Sequence, residues 1–422
     1  MSEAQRYHVI SPIAAGGMAE VFRGESAGIE GFRKKVAIKR VLPKLSANRE
    51  FINMFLDEAR LGAYLSHSKC VQVFDIGQGA GAHFIVMEYV DGADLKHVLE
   101  HLEANKKQMR VEVACRIALD IAEGLAYAHN ACDHNGQPLE IVHRDISPHN
   151  VLMTRYGEVK LVDFGLAKAS SHLTDEDEDI VKGKFGYLAP EVTLGQKADR
   201  RVDIFAAGIL LWEMLTGRRL FLGETDVETF KQVRAAEIPD PRQFRNDIND
   251  DVMHIIYRAL ARDPAQRYPQ ADDLARDLSR ALVRLGAPAN YLDVAELVKA
   301  AAAEREKKKA GQPGKVVMGD LVLDALHDFS GSPTSAAPLK ESKLGTPGVE
   351  QKSGASFEDP SAWGLDALFD ETNPQHPSPV ARPPAAAPAP AAQAPPPAPP
   401  RARVQEAPPK QGGPFWRRWF GS

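Results

Sequence analysis

The chain has 422 residues, 44% of them apolar and 26% charged, and a formal net charge of −5. Size alone allows about two or three domains, and the mild negative charge argues against a general nucleic-acid binder. Its three cysteines, Cys70, Cys115 and Cys132, form no CxxC pair, so neither a zinc ribbon nor a disulfide scaffold is signalled and a reducing, cytoplasmic setting is expected.

The opening MSEAQRYHVI has no basic segment followed by an apolar one, which argues against a secretory signal. YHVISPIAAGGMAEVFRGES then reads as two strands around a glycine turn, with Ile10 and Ile13 before it and Val21 and Phe22 after it. GFRKKVAIKRVL adds a third strand. Period-two alternation places Val36 and Ile38 on one face and Ala37 and Lys39 on the other. A glycine turn beside a strand lysine suits a polyphosphate, because backbone N–H groups approach the phosphates and the lysine supplies a positive point. Gly16 and Gly17 are the flexible residues, although a plain hairpin fits the same pattern. NREFINMFLDEARLGAYLSH is helical, since Phe51, Phe55, Ala59 and Gly62 recur at helix spacing. Glu58 inside it is either a surface glutamate or an ion-pair partner that holds Lys39. VQVFDIGQGAGAHFIVMEYV gives two further strands joined by a glycine-rich turn and ends at the linker DGAD. Adenine needs an apolar slot and strand-edge backbone hydrogen bonds, which Met87 to Val90 offer.

From about residue 111 the pattern turns helical with VEVACRIALDIAEGLAYAHN. IVHRDISPHNVLMTRYGEVKLVDFGLAKA then alternates polar loops with short apolar strands. Asp145, Asn150 and Asp163 stand among apolar residues, where ionised groups are costly unless paired or metal-bound. The oxygen ligands Asn150 and Asp163 suit Mg2+, which keeps waters and takes substrate phosphates for its other positions. Asp145 is suited to accept or orient the proton of an attacking hydroxyl. IFAAGILLWEML, 204 to 215, is too short for a membrane span and reads as a buried helix.

The motifs IAAGGMAEV, VAIK, FLDEA, HRDISPHN, DFG, APE, VDIFAAGILLWEML and ARDPAQRY follow one another within residues 7–284. In this order and spacing the chain resembles a eukaryotic-type protein kinase of the bacterial serine/threonine branch. The resemblance implies an α+β, bilobal fold: a mostly β N-lobe with one key helix at about 7–90 and a mostly helical C-lobe at about 91–284. It implies ATP and Mg2+ as cofactors, and protein substrates phosphorylated on serine or threonine, with autophosphorylation. Under it Lys39 contacts the α- and β-phosphates, Glu58 pairs with Lys39, Asp145 is the catalytic aspartate, and Asn150 and Asp163 hold Mg2+. The nucleotide pocket falls to Ile13, Ala14, Gly16, Val21, Ala37, Lys39, Met87, Glu88, Val90 and Leu152. Glu191 resembles the acid that pairs with a late arginine, here Arg267. Asp203 resembles the buried acid that anchors the catalytic-loop backbone.

Three departures stand out. The family's GxGxxGxV becomes Ala14, Gly16, Ala19, Val21, a stiffer loop. Ser147 stands where serine/threonine members usually carry lysine, and GKFGYLAPE puts Lys184 where they carry threonine. A positional exchange, in which Lys184 reaches towards Ser147 and the γ-phosphate, makes both candidate catalytic residues. A solvated Lys184 is the alternative. The acid run TDEDEDI, 174 to 180, reads as a solvated loop that could mimic phosphate towards Arg144, and Ser170, Ser171 and Thr174 are candidate self-modification sites. One rival function is a catalytically weak pseudokinase acting as a scaffold, against which the five retained site residues argue. Another is a small-molecule phosphotransferase, against which APE, Asp203 and DPAQR argue. Tyrosine specificity also stays open, since the serine/threonine marks at 147 and 184 are the missing ones.

Helical signal continues as an extension over 285–310, ending in EREKKK before Gly311 and Pro313. Residues 311–422 are low-complexity, Pro/Ala-rich and expected to be mostly disordered. Within them LDALHD (Leu323–Asp328) and LDALFD (Leu365–Asp370) are near copies, read as a repeated docking peptide or as chance in an alanine-rich tail. The aromatic and arginine cluster Phe415–Phe420 suits a partner groove better than stable membrane anchoring.

Overall fold

The computed structural model describes residues 7–28, 31–79, 82–164, 185–286 and 289–310. Alternation builds its first half. Strands β1 (Tyr7–Ala15), β2 (Ala19–Ala27), β3 (Arg33–Val41), β4 (Val73–Gly79) and β5 (Ala82–Glu88) form an antiparallel sheet in the order β1-β2-β3-β5-β4. On β3, Val36 and Ile38 pack with Phe22 and Val86 on one side, while Ala37 joins Val71 and Met87 on the other. Helix α1 (Arg49–Tyr64) connects β3 to β4. Asn48 caps it, its side-chain oxygen accepting the N–H groups of Glu50 at 3.0 Å and Phe51 at 3.2 Å. Phe51, Phe55 and Ala59 share one helix face and bury it against Val41 and Ile85.

The second half is mostly helical. The linker DGAD is more ordered than its composition suggests. Gly92–Asp94 forms β6, which pairs with β7 (Val151–Thr154), and β7 with β8 (Val159–Leu161). A side chain at Gly92 would stand 1.9 Å from the Met153 carbonyl oxygen, so only glycine lets the two strands meet. Asp94 then caps α2 (Leu95–Ala104) by accepting the His97 N–H at 2.8 Å. The helices α3 (Val111–His129), α4 (Pro190–Thr193), α5 (Arg201–Thr216), α6 (Asp226–Ala235), α7 (Asp250–Ala259), α8 (Ala271–Arg284) and α9 (Tyr291–Ala310) complete the described chain. Helix α5 carries IFAAGILLWEML and is buried from Val202 to Thr216, as its all-round apolar sequence requires. It lies in one continuous core with α3 and α8. The fold is thus bilobal and α+β. Among the described residues no helix is long and apolar enough to cross a membrane.

The segment 165–184, with Lys184, the acid run and the three candidate modification sites, lies outside the described residues. So do Leu323–Asp328, Leu365–Asp370 and Phe415–Phe420.

Candidate active site

Strand β3 holds Lys39 on the face of Ala37, where the lysine is 5% exposed. Its Nζ lies 3.0 Å from Glu58 Oε1 on α1 and 2.8 Å from Asp163 Oδ1 just after β8. One ammonium therefore joins three elements and both halves of the fold. Burial alone would push the Lys39 ammonium down, but Asp163 and Glu58 outweigh it and hold it above the usual lysine range. Asp163 is half-buried, and although desolvation alone would raise its carboxyl, Lys39 keeps it below the usual range. Burial pushes Glu58 up to about 8 against the pull of Lys39, and the negative Asp163 adds to the rise. Asp163 is thus the ionised partner of the lysine, and Glu58 the acid for which charge is costly.

The loop 143–150 is held from below. Asp203, 1% exposed at the start of α5, accepts the backbone N–H of His143 at 2.8 Å and of Arg144 at 2.7 Å. His129 Nε2 lies 2.8 Å from the same carboxylate. Burial alone would raise the Asp203 carboxyl, but these partners bring it below the usual range. The His143 ring accepts the Asp145 N–H at Nδ1 (3.3 Å) and donates from Nε2 to the Val162 carbonyl (3.1 Å), which fixes its neutral tautomer. Burial likewise pushes its pKa down. Arg144 and Asp163 both adopt left-handed backbone, φ +63° in each, a conformation that costs energy in non-glycine residues and clusters at working sites.

Asn150 closes the arrangement. Its Nδ2 donates to the Asp145 carbonyl oxygen at 2.7 Å and to Asp145 Oδ2 at 2.9 Å. That leaves its amide oxygen, with the Asp163 carboxylate, as an all-oxygen donor set of the hard kind Mg2+ prefers. Asp145, Asn150, Asp163, Lys39 and Glu58, chosen from separate stretches of sequence, stand in one constellation.

Beside them lies an apolar cluster. Ala37, Val71 and Met87 form its buried part, with Val21, Val90, Leu152 and Val162 packed against them. Of the residues expected to line a nucleotide pocket, Val21, Ala37, Met87, Val90 and Leu152 belong to this cluster. Ile13 and Ala14 lie on the glycine-loop strand β1, half-buried and exposed respectively. Two expectations change. Met87 is no strand edge, because its backbone sits in the ladder between Ala37 and Val73; the free edge starts after Glu88. The Glu88 side chain is spent on Lys160 (3.0 Å) and the Gln72 N–H (3.4 Å), and its own backbone N–H is donated to the Gln72 carbonyl at 2.8 Å, so neither is left for a ligand. Val71 and Val162 were not singled out from sequence. Val162 carried a signal, as the apolar residue directly before Asp163, while Val71 looked like any strand valine.

Ser147 is 4% exposed, with extended backbone, and precedes the short 3-10 turn Pro148–Asn150. Glu191 and Arg267 form a two-pronged ion pair, 2.7 Å at each prong, with both residues buried. A cavity of about 720 Å3, lined by residues such as Tyr64, Tyr127 and Cys132, contains none of the constellation.

A strand lysine held between a helix glutamate and an aspartate of a second, helical lobe is the plan of the protein-kinase class. Comparison with known proteins agrees. The family model described as protein kinase domain matches residues 7–277. The chain is 42% identical over 269 residues to the tyrosine-protein kinase MasK of Myxococcus xanthus, a match covering 64% of this chain and 42% of that protein. It is 36% identical over 276 residues to the serine/threonine-protein kinase PrkC of Bacillus subtilis, covering 65% of this chain and 40% of that one. Among solved structures, a double mutant of the Mycobacterium tuberculosis PknI kinase domain is similar, with a TM-score of 0.50 and 26% identity over 65% of this chain and 95% of that one. The chain belongs to the protein kinase domain family, and spans about two-fifths of the length of the first two of these relatives. Family membership implies ATP and Mg2+ as cofactors.

Proposed function

We propose that this chain transfers the γ-phosphoryl group of ATP to serine or threonine hydroxyls of proteins, and to its own. The observation that carries this is the Lys39 ammonium held at 3.0 Å from Glu58 and 2.8 Å from Asp163, across the lobes from the Asp145–Asn150 pair. Adenine enters the slot of Val21, Ala37, Met87, Val90 and Leu152, and the chain edge after Glu88 supplies backbone hydrogen bonds. Lys39 meets the α- and β-phosphates, and Glu58 keeps it from swinging away. Asn150 and Asp163 hold Mg2+, which neutralises phosphate charge when bound. Asp145 orients the attacking hydroxyl and takes its proton as the hydroxyl oxygen bonds the γ-phosphorus and the bond from that phosphorus to the β–γ bridging oxygen breaks, leaving ADP. Its aim is set by Asn150 and by the Asp203 anchor under residues 143 and 144. Most of the rate enhancement then comes from positioning and charge, since the reacting bonds belong to the nucleotide and the hydroxyl.

A scaffold without catalysis has no need of this alignment, and the buried Glu191–Arg267 clamp below the expected substrate side favours protein substrates over small ones. A second reading, tyrosine as acceptor, is favoured by Ser147 in place of lysine and by the name of the MasK relative. Incubation of the purified chain with ATP, Mg2+ and a peptide library, followed by phosphoamino-acid analysis, separates the two. Phosphoserine and phosphothreonine are expected. Phosphotyrosine alone would establish the second reading. Lys39→Met and Asp145→Asn should each remove at least ~100-fold of the transfer, and full-rate transfer by Asp145→Asn would overturn the assigned site. A cytoplasmic location, and docking of partners on the tail segments Leu323–Asp328, Leu365–Asp370 and Phe415–Phe420, belong to the same proposal.

A further inference from the structure

The kinase family model ends at residue 277, but the ordered chain does not. Helix α9 lies beyond it and packs on α2, α3, β6 and β7. Val294, Val298 and Ala301, at positions i, i+4 and i+7, are 0%, 0% and 5% exposed, so one face of α9 is fully engaged. Polar contacts flank that face. Arg110 donates to Asp293 at 2.9 Å, Asn105 donates to Glu304 at 3.2 Å, and His101 on α2 pairs with Glu304.

The fit is closest at the β7–β8 turn. Gly157 has φ +90°, and a Cβ there would stand 1.7 Å from the Tyr291 carbonyl oxygen. The α9 backbone therefore rests directly on that turn. The same turn reaches the nucleotide side: the Arg155 N–H donates to the Asp91 carbonyl at 2.8 Å, and its guanidinium pairs with the Asp91 carboxylate at 2.8 Å. Asp91 lies three residues after Glu88, within the connection between the lobes. Strand β7, which ends at this turn, carries Leu152 of the apolar cluster and pairs it with Asp94 of β6.

We propose that α9 is a positioning element of the nucleotide site. Its apolar face braces β6, β7 and the β7–β8 turn from outside, and through Arg155–Asp91 and the Leu152–Asp94 register it fixes the lobe connection and one wall of the adenine slot. This rests on the kinase reading above. It predicts a split in the kinetics: loosening α9 weakens nucleotide binding while the catalytic residues, anchored on Asp203 and Asn150, keep their geometry.

The test uses the full chain with Val294→Asp and Val298→Asp combined, and Val294→Ile as the conservative control. Hydrogen exchange of residues 291–304 reports whether α9 has come free. Calorimetry with a non-hydrolysable ATP analogue and Mg2+ gives the nucleotide Kd without requiring turnover. Release of the helix should raise both Kd and the KM for ATP about tenfold, with kcat within about twofold. The isoleucine variant should behave as the parent. Should the double variant not fold, Arg110→Ala with Glu304→Ala removes only the flanking contacts and should raise Kd about twofold. A freed α9 with unchanged Kd, or a fall in kcat at constant KM, would overturn the proposal. Absence of phosphotransfer by the parent chain would sink the kinase reading instead, while the Kd comparison still decides the role of α9.

Discussion

At the scale of single residues, Gly16 separates the needs of the fold from those of a ligand. Its N–H donates to the Ala19 carbonyl at 3.0 Å, and a Cβ would meet only that same oxygen, at an ordinary 3.6 Å. The turn itself does not demand glycine here, so any demand comes from a nucleotide passing close to the backbone. Gly16→Val should therefore leave urea unfolding unchanged within about 0.5 kcal/mol while weakening ATP binding; equal ATP affinity in calorimetry would contradict the phosphate-loop role. The Ser147 question takes a sharper form as well. Ser147 is buried, so a lysine substituted there must extend its ammonium to solvent or to a charged partner. If Lys184 supplies the charge that the family keeps at 147, Lys184→Ala should lower phosphotransfer and Ser147→Lys should restore it in the double variant. Strictly additive effects of the two changes would argue against the exchange. Glu191 and Arg267 form the third residue-scale case. Removing one partner strands the other as a buried charge, so Arg267→Met should cost about 3–5 kcal/mol in denaturant unfolding.

At the scale of elements, the ends decide as much as the faces. Helix α5 stops at Gly217, which turns the chain with φ +67° and has nothing within 4 Å of where a Cβ would stand. Gly217→Ala thus introduces strain without a clash, and should cost about 1 kcal/mol, read as a shift in the urea midpoint with an unchanged slope. Elements with a strong period were legible in the sequence. The alternation of β3 put Lys39 and Ala37 together, and the spacing of Phe51, Phe55 and Ala59 put Glu58 on a helix that faces them. What stayed hidden depended on contacts between distant segments. Nothing local in DGAD shows that Gly92 must lie on the Met153 carbonyl, and nothing in YLDVAELVKA shows which surface its apolar face will cover. Glu88 is expected in the pocket as part of the strand edge Met87 to Val90, and nothing local shows that its side chain is claimed by a lysine 72 positions away. Motif spacing brings candidate site residues together; it carries little about which groups are already satisfied by remote partners.

At the scale of the whole molecule, the seam between the lobes runs through Cys70. The flanking backbone continues the small sheet: the Val71 N–H donates to the Leu161 carbonyl and the Leu161 N–H to the Lys69 carbonyl, each at 2.8 Å. The Cys70 side chain points inward, against the Gly124 carbonyl of α3. From sequence Cys70 was one of three scattered cysteines; in the fold it reports on the joint, as Cys115 reports on the helical core and the exposed Cys132 on the surface. Burial pushes the thiols of Cys70 and Cys115 up to about 12. At pH 8 both therefore stay protonated and covered, and the thiolate is the reactive form. A disulfide reagent added to the native chain should titrate Cys132 alone, and all three thiols after unfolding. With increasing urea, Cys70 and Cys115 should become reactive at one midpoint, because Cys70 and Leu161 sit in the same core as Cys115 and the rest of α3. Exposure of Cys70 at distinctly lower urea than Cys115 would show the lobes opening as separate units. The bond pattern at Lys69–Val71 argues against that outcome, since the lobes cannot part at this seam without breaking the edge of the sheet that carries Leu152 and leads to Asp163.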